Sequence, residues 1–221
     1  HRIARRQRQM CIRDSSSSEE TKQPEEQPEE KVVSAAMELA VDVESTTVEF
    51  AGLKEKESHN CTIVVKEGQI TIDGGTVTAG TVVLDMAGVK CIDPNMPEDA
   101  NNDLAGHLMS GDFFDVENHP TATIKIIEVT EGGEMMEMRE LEAMKKYIPT
   151  NITHTITAEV TFHGKTEQVK FPAQVTADKG MKAQAIIEMD RTLWDVSAEG
   201  NPESPILSTV YVGVAIKAMP K

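Results

Sequence analysis

The feature that most constrains this chain is a strict alternation of apolar and polar residues in its second half. From Thr155 to Phe162, the apolar positions are Ile156, Ala158, Val160 and Phe162. Successive side chains of an extended strand point to opposite faces, so these four positions share one face while threonine and glutamate occupy the other. The segment predicts a half-buried strand whose apolar side another layer of protein must cover.

The same alternation recurs along most of the chain. A turn at His163–Lys165 leads into further alternating runs, whose apolar positions are Val169, Phe171, Ala173 and Val175, then Met181, Ala183, Ala185, Ile187 and Met189, and finally Val210, Val212, Val214 and Ile216. Upstream, Glu67–Gly68 and Asp73–Gly75 carry turn residues between β-rich runs and predict hairpins. Short sequential strands joined by tight turns favour an antiparallel meander.

About eight strands with one apolar face each can stack as a sandwich or close into a barrel, and closure removes the exposed edges. Alternation alone does not distinguish a filled interior from a hollow one. The chain has only five Phe, two Tyr and one Trp, and the presumptive inward faces contain small or flexible residues: Ala158, Ala173, Ala183, Ala185 and Met189. These side chains indicate room for a small ligand, with sheets that simply close the gap as the alternative.

The charge of the chain excludes one class of partner. The formal net charge is −15, and the seven acidic residues before Val32 are matched by seven Lys and Arg, so the remainder carries the whole imbalance. Nucleic-acid affinity comes mainly from clustered Lys and Arg. We therefore expect no nucleic-acid partner.

The first 38 residues differ in composition from the rest. Residues 1–13 carry five arginines and the run Arg-Gln-Met-Cys-Ile-Arg, which resembles translated adapter sequence from sequencing reads, so this segment is predicted to be non-native or disordered. Residues 14–38, rich at first in Ser, Glu, Gln and Pro, are predicted to form a disordered acidic tether. The barrel domain is predicted to span residues 39–221.

The three cysteines, Cys11, Cys61 and Cys91, form neither a disulfide framework nor a paired zinc motif, because their number is odd and no Cys-x-x-Cys occurs. Isolated thiols are the favoured interpretation. One bridge between Cys61 and Cys91, in an oxidising compartment, is the alternative.

No catalytic or metal motif stands out. The six histidines contain no His-Glu-x-x-His and no pair of histidines four apart, which predicts no metal site. A nucleophile elbow, a P-loop and a Rossmann glycine pattern are all missing from the sequence. Ser110 near His107 is the only sequence-local pair that could serve a hydrolase. We therefore expect a protein that is not an enzyme, with no catalytic residues.

One segment interrupts the strands with a helical spacing of apolar residues. Between Glu134 and Tyr147 the apolar positions include Met135, Met138, Leu141 and Met144, and this pattern predicts a helix lying over the barrel. The segment is either a methionine-lined lid at the mouth or a surface helix that plugs an open end. The second interpretation is favoured because such a stripe is usually packing.

The most specific motif lies between Gly106 and Lys125. Before it, Leu104 and Leu108 are four apart and predict a short helix over Asp99–Met109. The stretch resembles the YceI-like family of lipid-binding proteins, with these residues in register: His107, Leu108, Ser110, Asp112, Phe113, Phe114, Asp115, Val116, Glu117 and Pro120 to Thr123. Further similarity is carried by Val41–Phe50, Ser58–Asn60, Thr161–Gly164 and Asp190–Trp194, so that the resemblance covers Leu39 to Ala218.

The resemblance implies an all-β fold, an antiparallel lipocalin-like β-barrel of about eight strands with one or two short helices. It implies binding, and transport or storage, of a long-chain apolar lipid such as an isoprenoid, a quinone or a fatty-acid derivative, with no cofactor beyond that lipid. An extracytoplasmic location follows, periplasmic, secreted or lipoprotein-anchored, with membrane tethering through an N-terminal anchor not present in this sequence; a homodimer is left open. A ligand-free exported structural or stress-response module is the alternative, and a lipid hydrolase a third.

The candidate ligand-binding residues fall into two groups. Aromatic side chains expected to form the wall are Phe113, Phe114, Phe162, Phe171 and Trp194. Polar side chains expected at the mouth, to meet a head group, are His107 and Arg191. Helix capping or salt bridging is the alternative role for both of the polar residues.

Overall fold

The computed structural model describes residues 36–135, 137–197, 200–201 and 204–221. The strands are β1 Met37–Val41, β2 Thr47–Lys54, β3 Ser58–Asp73, β4 Thr76–Cys91, β5 Thr121–Glu131, β6 His154–Phe162, β7 Lys165–Ala177, β8 Met181–Asp190, β9 Gly200–Asn201 and β10 Ser204–Pro220. Helix α1 spans Glu98–Met109, and two 3-10 helices span Glu142–Tyr147 and Arg191–Trp194. The predicted segment 1–13 and most of the predicted tether 14–38 lie outside the described residues, and β1 begins at Met37.

Within these ranges, eight antiparallel strands close into a barrel, in the order β2, β3, β4, β5, β6, β7, β8 and β10, with β10 returning to β2. From β2 to β8 neighbours in space are neighbours in sequence. This confirms the predicted all-β fold and the antiparallel meander. Strand β1 is an additional strand, because Leu39 lies opposite both Pro220 of β10 and Ile70 of β3. It covers the barrel where β2 does not reach.

The alternation predicted over Thr155–Phe162 is present in β6. Ile156, Ala158 and Val160 are buried in the central core, and Phe162 at the strand end is partly buried against it. The predicted short helix is also present as α1, and its Leu104 and Leu108 both border the interior. None of the helices in the described ranges is long and apolar enough to cross a membrane.

The hairpin predicted at Glu67–Gly68 is wrong, because β3 runs through it without a turn. The turn occurs only at Gly74 and Gly75, where both residues have positive φ angles of 58° and 84°. Gly68 serves a different purpose, since a Cβ atom there would lie 2.6 Å from Cγ2 of Val41. The glycine therefore allows β1 to pack closely on β3.

The helix predicted over Glu134–Tyr147 is largely wrong. Among the described residues of this segment, only Glu142–Tyr147 are helical. They form a 3-10 helix that packs on the outer side of the barrel instead of at its mouth. We call this packing the outer cluster, and its buried members are Ala51, Leu53, Leu141, Met144, Tyr147, Ile186 and Tyr211. The apolar side chains of the segment are buried against the outer face of nearby strands, and this burial does not require a long helix.

Cys61 and Cys91 are joined by a disulfide bond, so the favoured interpretation of isolated thiols is wrong for this pair. The two residues lie directly opposite each other on β3 and β4. Three register irregularities separate this pair from the turn of the hairpin. The spacing of the cysteines could not reveal the bridge, because β-bulges change which residues face each other.

Candidate ligand cavity

A cavity of about 480 Å³ occupies the end of the barrel that α1 covers. Its wall is formed by the strand ends on that side together with Leu104 and Leu108 of α1. The volume falls within the range of about 300 to 1,000 Å³ that is usual for small-molecule sites, and the wall is predominantly apolar, as such sites are. The arrangement suits an apolar ligand.

A second cavity of about 60 Å³ lies deeper in the barrel. Ile124 and Ile187 border both cavities, so the two spaces are neighbours along the barrel axis. Three of the alanines expected to leave room, Ala173, Ala183 and Ala185, border only this small cavity. The larger space is instead bordered by bulkier Ile, Val, Met and Phe side chains, because α1 and the turn after it cover that end without filling it.

A row of phenylalanine rings crosses the wall of the larger cavity. The rings of Phe50 and Phe114 meet edge to face with centroids 5.7 Å apart, and Phe114 meets Phe162 in the same way at 5.3 Å. All three border the cavity. Edge-to-face pairs stabilise one another beyond their burial, so these rings form a preorganised apolar surface.

Phe113 and His107 lie side by side at the mouth. Their rings are perpendicular with centroids 5.0 Å apart, and both border the cavity. The His107 side chain is 58% exposed, and its Nε2 lies 3.3 Å from a carboxylate oxygen of Asp112. His107 therefore lies at the solvent-exposed rim of the cavity.

Arg191 borders the cavity but is committed to structure. Its guanidinium donates hydrogen bonds to the carbonyl oxygens of Leu207 at 3.0 Å, Ile206 at 3.2 Å and Val196. Burial lowers the pKa of Arg191, while the charge of Asp190 acts in the opposite direction. The side chain joins Val196, just after the Arg191–Trp194 helix, to Ile206 and Leu207 near the start of β10.

The two other predicted wall residues lie elsewhere. Phe171 borders the small inner cavity. Trp194 is 1% exposed and borders neither of these two cavities. Its Nε1 donates a 2.9 Å hydrogen bond to the carbonyl of Val160. The structure thus brings together Phe113, Phe114, Phe162, His107 and Arg191 around one cavity, whereas contact with a ligand stays a prediction for all seven residues.

Sequence reasoning missed several residues that border the larger cavity. Phe50 alternates with Val48 on β2, so the period-two pattern could have found it. Lys54 ends the same strand, and its side chain is 30% exposed at the mouth. Cys61 also borders the cavity, and strand pairing alone reveals that it is bridged.

A hydrogen bond between His59 and a buried carboxylate supports the wall of the cavity. His59 borders the cavity, and its Nδ1 lies 2.9 Å from Oδ2 of Asp93, a carboxylate that is 4% exposed. Burial acts to raise the pKa of Asp93, but the hydrogen bond from the Asn95 N–H and the neighbouring His59 together hold that pKa below its ordinary value. Asp93 is thereby kept ionised, and its hydrogen bond with His59 fixes the imidazole in the wall.

Ser110 is not arranged as a nucleophile. Its hydroxyl donates a 2.7 Å hydrogen bond to the backbone carbonyl of His107, while the imidazole of His107 pairs with Asp112. A serine nucleophile requires its hydroxyl to donate to a base nitrogen. The hydroxyl instead ends helix α1.

Comparisons with known proteins agree on one fold. The protein BcnA from Burkholderia cenocepacia superposes with a TM-score of 0.59 at 14% identity, covering 81% of this chain and 99% of that one. A polyisoprenoid binding domain from Saccharophagus degradans, implicated in plant cell wall breakdown, superposes with a TM-score of 0.55 at 11% identity, covering 84% and 99%. At such identities the likeness concerns the fold.

No curated protein matches the sequence. The model of the YceI-like domain, however, matches residues 39–218, which include the cavity wall and all of the barrel strands except the last two residues of β10. The chain therefore belongs to the YceI-like family.

Proposed function

We propose that this protein binds a long apolar lipid, an isoprenoid, a quinone or a fatty-acid derivative, in the larger cavity and carries or stores it outside the cytoplasm. The observation that carries the proposal is the cavity of about 480 Å³ with its apolar wall and its row of Phe rings. The fold shared with a polyisoprenoid binding domain supports it. The protein acts as a carrier, with no covalent step.

The chain length that the cavity accepts decides the affinity. Each methylene removed from water contributes about 0.8 kcal/mol, and a Kd of about 1 μM corresponds to about 8 kcal/mol. Roughly a dozen buried methylenes reach that range after part of the gain is offset by ordering the tail. Prenyl and fatty acyl chains of ordinary length meet this requirement.

Gly52 offers a direct test. It borders the cavity, and a Cβ atom built there would meet nothing within 4 Å, so a larger side chain can enter the cavity without a clash at its base. The variant Gly52→Leu places an isobutyl group where ligand methylenes would lie. Gly106→Leu is the matched control, because Gly106 is exposed on α1 and its surroundings are equally open.

The experiment measures displacement of a fluorescent fatty acid by farnesol, a short-chain ubiquinone and oleate, preceded by native mass spectrometry of the purified protein. We expect a co-purified lipid. We expect Gly52→Leu to weaken binding about 100-fold, since four carbons displace about 3 kcal/mol of ligand burial, and Gly106→Leu to bind as the parent does. Equal affinities in both variants would refute the cavity as the binding site.

The Cys61–Cys91 bridge supports the proposed location, since disulfides persist mainly in oxidising compartments. Fractionation of the host cell, with an antibody against this chain, tests that part separately. Recovery in the envelope or the medium is the expected result. Recovery in the cytoplasm alone would refute the location and leave lipid binding untouched.

A further inference from the structure

Three metal-ligating side chains converge beside the barrel, apart from the lipid cavity. Asp115, His119 and His163 each offer one ligand atom, and these atoms all lie within 4.8 Å of one another. Asp115 and His119 belong to the loop between α1 and β5, and His163 lies in the turn between β6 and β7. All three side chains are half-buried. The sequence spacing predicted no metal site because the third ligand is distant in sequence.

His163 is oriented as metal-binding histidines are. Its Nδ1 lies 2.8 Å from the carbonyl oxygen of Trp194, in the partly buried interior of the turn. A carbonyl oxygen can only accept, so Nδ1 carries a proton, and in the neutral imidazole the lone pair lies on Nε2. Metal-binding histidines commonly donate their second ring nitrogen to a carbonyl in this way, which fixes the ring.

His119 is packed into place by a glycine. Its ring centroid lies 5.2 Å from that of His163, and its Nε2 lies 4.0 Å from Oδ2 of Asp115. Gly164 permits this packing, because a Cβ atom there would lie 2.8 Å from Cε1 of His119. The positive φ of 75° at Gly164 also favours glycine.

Asp115 is held by its own loop. Both carboxylate oxygens accept from the Asn118 amide nitrogen, at 2.9 and 2.8 Å, and the backbone N–H of His119 donates to the Asp115 carbonyl at 2.8 Å. Asp115 and His163 also have φ angles of 45° and 49°. Such backbone conformations are uncommon outside glycine and concentrate at functional sites.

We propose that Asp115, His119 and His163 form a binding site for a divalent transition metal, with zinc as the best-suited ion. Two imidazoles and one carboxylate are a common zinc ligand set, with ligand distances of about 2.0 to 2.2 Å. In a tetrahedral site, ligands at that distance from the metal lie about 3.3 to 3.6 Å apart, so side-chain rotations that move each ligand atom by up to about 1 Å close the site. Half-buried side chains allow such rotations.

Metal binding at this site would join two segments that also shape the lipid cavity. Asp115 directly follows the Phe113–Phe114 pair, and His163 directly follows Phe162. An ion held between the loop and the turn therefore fixes the edges that carry these rings. The metal ion would hold these two segments together at the mouth of the cavity. It would not contact the bound lipid.

The experiment is zinc titration of the full chain without a histidine tag, by calorimetry, with the bound metal counted by elemental mass spectrometry after desalting. His119→Gln and Asp115→Asn remove ligands while keeping similar size. His154→Gln is the matched control, because His154 is a half-buried histidine whose Nδ1 contacts Thr153 at 2.8 Å, outside the cluster. Any zinc bound by His1 or Cys11 is common to all variants and cancels in the comparison.

We expect one zinc more per chain in the parent and His154→Gln than in the two ligand variants, with at least a tenfold loss of affinity in the latter. Zinc should also raise the Tm of the parent, by about 5 to 10 °C when its concentration is about 100 times Kd. Equal zinc content in the parent and both ligand variants would overturn the proposal, as would a parent that binds none. Circular dichroism of the zinc-free variants confirms that they fold.

Discussion

The indole Nε1–H of Trp194 donates a 2.9 Å hydrogen bond to the carbonyl oxygen of Val160. This bond joins the Arg191–Trp194 helix to strand β6, across the barrel end that holds the larger cavity. Trp194 is the only tryptophan of the chain and is 1% exposed. Its position gives it a role in holding the barrel end together.

Trp194→Phe should therefore lower stability and leave lipid affinity unchanged. The substitution leaves the buried Val160 carbonyl without this donor, which costs about 1 to 3 kcal/mol. Urea denaturation followed by circular dichroism measures the loss, and displacement of the fluorescent fatty acid measures affinity. If the variant keeps its stability but binds lipid more weakly, Trp194 contacts the lipid, as the sequence predicted, and this stability role is wrong.

Replacement of Arg191 should loosen the contact between Val196 and the start of β10. Arg191→Met removes the donors to the carbonyls of Val196, Ile206 and Leu207, and we expect a loss of about 3 kcal/mol or more. Arg191→Lys should lie in between, because one ammonium group cannot reproduce the planar fork of donors. The measurement is the free energy of unfolding in urea.

Arg139→Met is the control for Arg191. Arg139 is exposed and donates from Nη1 to the carbonyl of Lys54 at 2.9 Å, so its loss should cost less than about 1 kcal/mol. If both methionine variants lose the same amount of stability, the hydrogen bonds of Arg191 do not have the stabilising role that we assign to them.

The Cys61–Cys91 bridge should account for much of the stability of the barrel. The two cysteines are 30 residues apart, and a bridge over such a loop contributes about 3 to 4 kcal/mol. The double variant Cys61→Ala, Cys91→Ala should lose that amount in urea denaturation. Thiol labelling in denaturant should count one free thiol before reduction and three after it, because the chain has three cysteines. Three thiols before reduction would contradict the bridge.

Tyr147 should make the protein less stable at high pH. Burial, partly offset by the hydrogen bond with Thr47 and reinforced by nearby Glu49, raises the pKa of Tyr147 to about 12 from its ordinary value of 10.0. The folded protein then keeps a proton that the unfolded chain loses. The resulting contribution to the free energy of unfolding is fully present below pH 10. It is lost as the pH rises from 10 to about 12, which lowers the free energy of unfolding by up to about 3 kcal/mol.

Tyr147→Phe isolates this effect from the titration of lysines. The variant lacks the phenol, so its free energy of unfolding should fall less between pH 10 and 12 than that of the parent. Urea denaturation at several pH values in this range measures both slopes. Parallel curves would show that Tyr147 does not titrate differently on unfolding.

Lys54 should distinguish acidic from neutral lipids. Its ammonium group lies at the mouth of the cavity, 3.5 Å from Glu57, with the side chain 30% exposed. Lys54→Met should weaken oleate binding several-fold, since a partly exposed ion pair contributes up to about 1 kcal/mol, and should leave farnesol binding unchanged. Lys56→Met, on the adjacent exposed turn, is the control. Equal effects on both lipids would exclude a charged head group at Lys54.

Much of the fold follows from the sequence. The period-two pattern of β6 and its neighbours depends only on which side chains can be buried. The sequence of each strand therefore indicates by itself which face of that strand is buried. The meander follows from short turns such as the one at His163–Lys165, and α1 from the spacing of Leu104 and Leu108. Three residues singled out in the family motif, His107, Phe113 and Phe114, border the same cavity.

Only the tertiary structure decided the features that depend on how strands meet. The bulges between β3 and β4 set the register that opposes Cys61 to Cys91, and no spacing in the sequence encodes that sum of local shifts. In the closed barrel, Tyr147 is buried in the outer cluster and Trp194 donates a hydrogen bond to Val160. The same closure places His163 near Asp115. Each of these outcomes requires two segments distant in sequence to share one volume, a condition that alternation within a single strand cannot express.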